Sequence, residues 1–297
     1  MGIANTIKLN SIDTLFGRDN PNGITEISIS ALTDFKNHPF KVKNDEKMAD
    51  MIESIKEYGV LTPIIVRPKG NNYEVISGHR RKFACKQLGI TKIPSIIKDL
   101  NDDEATILMI DSNIQREEIL PSEKAFAYKM KLEAMKRQTG RPKNNCTQVG
   151  YNFEGKKSVE ILAEETGESR NQIQRFIRLT SLNKDLLEMA DIKKIPFNTA
   201  VELSYLRENE QQLLHNSISE CGIIPSIKQA SQLKALSKEE KLDENKINEI
   251  MSEKPKTPVK ISFTGSNLKR YFPKEYTVKQ MEDVIYKLLE DWAKNNK

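Results

Sequence analysis

Three cysteines, three histidines and a single tryptophan are spread over 297 residues. Cys85, Cys146 and Cys221 are odd in number and far apart. That argues against a disulfide framework and against a cysteine-rich zinc site, and it makes a reducing cytoplasm the expected compartment. His38, His79 and His215 are equally scattered, so no histidine-based metal centre is expected. No run approaches the roughly 18 consecutive apolar residues of a membrane span. Met1 to Asn10 has neither an apolar core nor a small-residue cleavage site, so secretion is not expected. There is no P-loop signature, no internal repeat and no low-complexity tract.

Charge is plentiful: 30% of residues are Asp, Glu, Lys or Arg, against 37% apolar and 6% aromatic, with a net charge of +5. Those figures suit a helical, well-solvated protein of two or three domains. The basic excess is concentrated. Between Lys129 and Lys157 eight basic residues face two acidic ones, an excess larger than that of the whole chain. Such a window is either a solvated linker or a segment that tracks phosphates.

Residues 1–28 read as an irregular tail, with turn formers from Asp19 to Gly23. Asn44 or Asp45 caps a helix whose Met48, Met51, Ile52 and Ile55 share one face, and Gly59 stops it. Strands are predicted at Ile64–Val66, Tyr73–Ile76 and Ile93–Ile97, with a short helix from Gly78 to Leu88. Residues 29–116 are therefore a mixed α/β domain. From Asp102 the pattern turns helical, with helices over Glu104–Ile114 and Pro121–Lys136. Residues 140–157 form a basic loop, and helices resume at Ser158 and continue to about Leu236. A charged stretch, 237–258, reads as a linker or solvated helix. The overall class is α+β.

Residues 158–179 have the spacing of a helix-turn-helix. Val159, Leu162 and Ala163 give the first helix an apolar face, and Gly167 allows the sharp turn. Ser169 caps the second helix, with Gln172 placed for a capping box. Ile173, Phe176 and Ile177 are its buried face. The other face carries Arg170, Asn171, Gln174, Arg175 and Arg178. Arginine pairs with guanine and Asn or Gln with adenine in the major groove, so double-stranded DNA is the expected partner.

Ser77-Gly78-His79-Arg80-Arg81 joins a strand to a helix. A glycine, a helix N-terminus and two guanidinium groups suit an anion; the alternative is two solvated arginines. Asn113 and Arg116 would complete such a site only if the fold brings them close. In the C-terminal unit, 259–297, Val259, Ile261 and Phe263 alternate as in a strand. A capping box at Thr277 and Gln280 opens a helix with Met281, Val284, Ile285, Leu288, Leu289 and Trp292 on one stripe. So short a piece buries little alone, and a homodimer interface is expected, which suits a palindromic DNA site.

The order Gly59-Val60-Leu61-Thr62-Pro63-Ile64, Gly78-His79-Arg80-Arg81-Lys82-Phe83-Ala84, Asn113-Ile114-Gln115-Arg116-Glu117 and then a helix-turn-helix resembles the ParB-like partition-protein family, over about residues 30–215. The resemblance implies a ParB/sulfiredoxin-like N-terminal domain, an all-α DNA-binding middle domain and a small C-terminal α+β dimerisation unit. It implies a centromere-like site, a partner partition ATPase, a nucleoid- or plasmid-associated location in the cytoplasm, and CTP as the ligand that closes a sliding clamp. It assigns Gly78, His79, Arg80 and Arg81 to the triphosphate, Gly59, Thr62 and Pro63 to the base side, and Asn113 and Arg116 to a second phosphate motif. Two acids of the family pattern are missing: His79 stands where Glu is usual, and Ser112 where Glu precedes Asn. Mg²⁺ and hydrolysis are thereby left open, with Asp111 as a substitute acid. His38-Pro39-Phe40-Lys41-Val42-Lys43 also departs from the usual Gln-Pro-Arg ending. A helix-turn-helix regulator without nucleotide switching is the alternative. A sulfiredoxin-class enzyme is disfavoured, because Gly78 occupies the place where that chemistry needs cysteine.

Overall fold

A computed structural model describes residues 23–116, 118–139, 157–252, 271–273 and 275–295. The chain divides into one unit up to Ser252 and a second over Glu253–Lys297. No helix among the described residues is long and apolar enough to cross a membrane.

The first unit begins with a five-stranded mixed sheet. Its strands are β1 (Ile24–Ser28), β2 (Leu32–Thr33), β3 (Ile64–Lys69), β4 (Asn72–Ser77) and β5 (Lys92–Ile97), in the order β1-β5-β3-β4-β2. β1 pairs antiparallel with β5, β5 parallel with β3, β3 antiparallel with β4, and β4 parallel with β2. The expected tail thus ends earlier than residue 28. Thr25, Glu26 and Ile27 pair with Ser95, Pro94 and Ile93, and Ile27 is buried. A mostly exposed edge strand carries too few apolar residues for a pattern search to find.

Alternation along β3 separates two cores. Ile64 and Val66 join Met48, Ile55, Ala84, Cys85 and Ile93 under α1 (Glu46–Tyr58) and α2 (His79–Gln87). Ile65 joins Ile76, Leu100, Leu108 and Met109 under α3 (Asp102–Ile114). Asp45 caps α1 by accepting from the Met48 amide at 2.9 Å, and Gly59 ends it at φ +73°. Asn101 and Glu104 form a capping box that starts α3.

α4 (Pro121–Thr139) packs on α3 and carries the helix-turn-helix, α5 (Ser158–Thr166) and α6 (Arg170–Arg178). Ile107 of α3, Tyr128, Leu132 and Met135 of α4, Leu162 and Ile173 share one core. The chain therefore makes no clean break at residue 116. Lys131, counted above among the basic window, is buried in α4. Its Nζ bonds Asp111 of α3 and, at 2.6 Å, Glu165 of α5. The basic loop, 140–156, lies outside the described residues.

Five more helices build the next core: α7 (Lys184–Asp191), α8 (Phe197–Leu203), α9 (Glu208–Cys221), α10 (Ile227–Lys238) and α11 (Glu244–Ser252). The last decides residues 244–252 of the stretch read as a linker or solvated helix: it is a helix whose inner face is buried, while 253–258 lie outside the described residues. Ile247, Ile250 and Met251 sit at i, i+3, i+4 and are buried against this core. High charge on the solvent face masked a narrow apolar stripe.

In the second unit, α12 (Val278–Asn295) starts at the expected capping box. The Thr277 amide donates to Gln280 Oε1 at 2.9 Å, and the Gln280 amide to Thr277 Oγ1 at 3.4 Å. Met281 is buried, but Leu288, Leu289 and Trp292 are exposed in the single chain. The strand expected from Val259 to Phe263 lies outside the described residues.

Candidate anion site and nucleic-acid interface

β4 carries one extra residue opposite β3: Ile65 pairs with Ser77 and Val66 with Val75, so Ile76 is bulged just before Gly78. Gly78 then takes φ +104° as the N-cap of α2. A Cβ there would stand 2.5 Å from Ile64 Cγ2 and 3.2 Å from a terminal nitrogen of Arg81. Conformation and space both require glycine, and the amides of the first turn of α2 lack intrahelical partners.

Arg81 turns back across this turn. Its Nη1 donates to the carbonyls of Thr62 at 2.5 Å and Pro63 at 2.6 Å, which fixes the Gly59–Pro63 loop to α2. Arg80 donates to Asp45 Oδ1 at 3.0 Å. Arg116, just past α3, lies within electrostatic reach of Arg80, Arg81, His79 and His38, and its guanidinium sits 5.9 Å from the centre of the Phe40 ring. So the fold does bring the second motif to the first. Burial, and then the neighbouring like charge, lowers the guanidinium pKa of both Arg81 and Arg116, and both stay charged. Among the described residues no carboxylate lies within 4 Å of either, so the cluster holds more positive charge than it neutralises. That is an anion site built from a helix N-terminus and three guanidinium groups.

Asn113 is buried, and its Nδ2 donates to the Met109 carbonyl at 2.7 Å and to Ser112 Oγ at 3.1 Å. Asp111 is held by Lys131, which corrects its expected role as a substitute acid at the site. His79 is buried against His38, and burial followed by the His38 ring pushes its pKa down to about 3. The imidazole is therefore neutral near pH 7 in the free protein. The carboxylates around the site are engaged: Asp34 with Lys82, Asp45 with Arg80, and Glu123 with the Lys41 and Leu120 amides. Among the described residues no three His, Cys, Asp or Glu side chains converge to hold a metal.

The helix-turn-helix forms as the spacing requires. Gly167 ends α5 at φ +70°, Leu162 and Ile173 are buried, and Phe176 packs edge-on to Tyr128. Ser169 Oγ accepts from the Gln172 amide at 3.1 Å, which is one half of the expected capping box. Lys124 of α4 bonds Glu168 in the turn and lies over the Tyr128 and Phe176 rings. On the outer face Arg170, Asn171 and Gln174 are exposed, with Arg170 donating to Glu160 at 2.7 Å. Arg175 reaches Asn198 and lies over the Phe197 ring. Arg178 turns inward, donating to the Ser204 carbonyl at 2.7 Å and stacking on Tyr205 at 4.2 Å. Its expected base-reading role gives way to a bracing one in this conformation. Asn198 and Tyr205 were not foreseen; they lie some 20 residues beyond α6, where no spacing rule applies.

The family described as "ParB N-terminal domain" matches residues 17–114. The chain is 29% identical over 212 residues to the chromosome-partitioning protein Spo0J of Thermus thermophilus, covering 71% of this chain and 70% of that one. It is 31% identical over 198 residues to the nucleoid occlusion protein of Geobacillus thermodenitrificans, covering 66% and 63%. It thus spans just under two thirds of the latter's length. Two crystal structures of C-terminally truncated ParB from Caulobacter crescentus are also similar. One, complexed to the centromeric parS site, has a TM-score of 0.40 at 22% identity over 72% of this chain and 99% of that chain. The other, complexed with CTP-gamma-S, has a TM-score of 0.30 at 24% identity over 66% and 99%.

Proposed function

We propose that the chain, whose residues 17–114 match the family described as ParB N-terminal domain, is a site-specific DNA-binding protein of the partition and nucleoid-occlusion type, switched by CTP. The observation that carries the reading is the convergence of Gly78, Arg80, Arg81 and Arg116 on one excess-positive site, inside the unit whose α4 also holds a helix-turn-helix. The triphosphate sits on the N-terminus of α2 and is gripped by Arg80, Arg81 and Arg116. The Gly59–Pro63 loop, which Arg81 anchors, takes the base side. Because Arg81 holds that loop through two carbonyls, an anion that draws Arg81 away frees the loop, so ligand and loop compete for one guanidinium. Asn113 serves by shaping the end of α3. Hydrolysis is slow or absent, since the surrounding carboxylates are committed to other partners.

DNA is read by Ser169, Arg170, Asn171, Gln172, Gln174 and Arg175 at the start and outer face of α6. The C-terminal unit dimerises the chain through the stripe on α12, and two copies meet a palindromic site. A partition ATPase is the expected protein partner, and the location is the nucleoid or a plasmid.

Calorimetry with CTP, ATP and GTP, with and without selected DNA, beside a phosphate-release assay, tests the reading. CTP alone should bind, Arg81→Ala should abolish binding, and site-specific DNA binding should persist in that variant. Absence of nucleotide binding even with DNA present would leave a plain helix-turn-helix regulator.

A further inference from the structure

The histidines that are 41 positions apart in sequence meet in the fold. The rings of His38 and His79 have centroids 4.0 Å apart and planes tilted by 53°. His38 Nδ1 lies 2.7 Å from the Phe40 carbonyl oxygen. A carbonyl only accepts, so that nitrogen carries the hydrogen and Nε2 keeps its lone pair. This Nε2 is buried without a hydrogen-bond partner, and so is Nε2 of His79, a side chain only 9% exposed. Two adjacent imidazoles thus each present a buried, unsatisfied nitrogen. An N–H donated to a backbone carbonyl on the far side is also what orients a metal-binding imidazole.

The charged groups facing the pair come from every neighbouring segment. Asp34 follows β2, Lys82 lies on α2, Arg116 follows α3 and Glu123 lies on α4. Asp34 and Lys82 offset one another, and Glu123 faces Arg116, but Arg80 and Arg81 follow His79 directly, so the surroundings stay net positive and a cation is held best together with a polyanion.

We propose that His38 and His79 are the protein ligands of a site for a borderline divalent transition ion of the Co²⁺, Ni²⁺ or Zn²⁺ class, its remaining positions filled by water or by phosphate oxygens. Imidazole suits such ions, whereas Mg²⁺ takes oxygen ligands. Two imidazoles are fewer than the protein ligands of an ordinary zinc site, so the site is weak alone and strengthened by a bound triphosphate. The triphosphate clause rests on the function proposed above; the two-histidine site does not.

The probe is Co²⁺, titrated by calorimetry and visible absorption into the full chain stripped of metal, without nucleotide. One ion should bind per chain at this site. His38→Gln and His79→Gln should each weaken it tenfold or more, and His215→Gln should leave it unchanged. Histidine ring NMR provides a check on unaltered protein: the His38 and His79 signals should broaden or shift with Co²⁺ before those of His215. Failure of the wild type to bind Co²⁺, undiminished binding by either variant, or unchanged His38 and His79 signals would each overturn the site. In a second arm, CTP should bind at least tenfold more tightly with Co²⁺ than with Mg²⁺, and His79→Gln should erase the difference. Equal CTP affinity with both ions overturns the triphosphate clause. CTP binding with neither ion, while Co²⁺ still broadens the two histidines, refutes the nucleotide function and upholds the metal site.

Discussion

Replacing Gly78 by alanine tests whether the turn before α2 is shaped by necessity. The added Cβ would lie 2.5 Å from Ile64 Cγ2 and 3.0 Å from Ile64 Cβ. Carbon atoms pack at about 3.5–4.0 Å, so roughly 1 Å of overlap must be relieved inside a close-packed core. Overpacking of that kind costs about 1–3 kcal/mol. The φ of +104° adds about 1–2 kcal/mol for a residue with a side chain. The sum is about 2–5 kcal/mol, a large share of ordinary domain stability. Gly222 supplies the control: it too is left-handed, at φ +69° and ψ 5°, but nothing stands within 4 Å of the place a Cβ would take, so Gly222→Ala bears the backbone cost alone. Urea unfolding followed by circular dichroism should place Gly78→Ala about 1–3 kcal/mol below Gly222→Ala, read from midpoints at unchanged slope. The double variant Gly78→Ala with Ile64→Ala should recover part of the loss, because the clashing Cγ2 is gone. Equal stabilities for the two glycine variants, within about 0.5 kcal/mol, would refute the steric argument.

Lys131 is buried between Asp111 and Glu165, so Asp111→Asn with Glu165→Gln should destabilise the fold, at most by about 3–5 kcal/mol, by removing two carboxylates from a buried ammonium; urea unfolding should show Lys131→Met as the milder change. In metal-free protein the His79 ring should show no NMR titration between pH 5 and 8, since its pKa is held near 3 against 6.5 unfolded. The unfolded chain then binds the extra proton, so stability is full above about pH 6.5 and falls as pH drops toward 3, by at most about 1.4 kcal/mol per pH unit; His79→Gln should flatten that part of the profile. Leu288→Asp, on the exposed stripe of α12, should yield monomers in sedimentation, and a wild type already monomeric at high micromolar concentration would remove the dimer proposal.

What the sequence made legible follows from range. Periodicity within one element located α1, α3, α4, α5 and α6 to within a few residues, because Met48 and Ile55, or Leu162 and Ile173, must face a core wherever that core lies. Capping residues were equally plain, since Asp45, Ser169 and Thr277 act on amides three positions away. β1 escaped because its burial is supplied by β5, nearly 70 residues on. α11 was left between linker and solvated helix because six polar or charged residues surround its three buried ones.

The site divides along the same line. Gly78, Arg80 and Arg81 are contiguous or nearly so, and their anion-holding chemistry could be read directly. That Arg116 joins them depends on α3 packing over β4, so that the residue just past α3 comes within electrostatic reach of Arg80 and Arg81, which no spacing states. The histidines show the point most sharply. As a scattered trio they argued against any imidazole centre, yet β2 and β4 are neighbouring parallel strands, and the segments that leave them carry His38 and His79 into contact. Composition counts side chains one at a time, whereas a binding site is set by which strand ends are adjacent. The replacement of an acid by His79 therefore gains its meaning from His38, because one buried imidazole is an unsatisfied group and two with free Nε2 atoms are a pair of ligands.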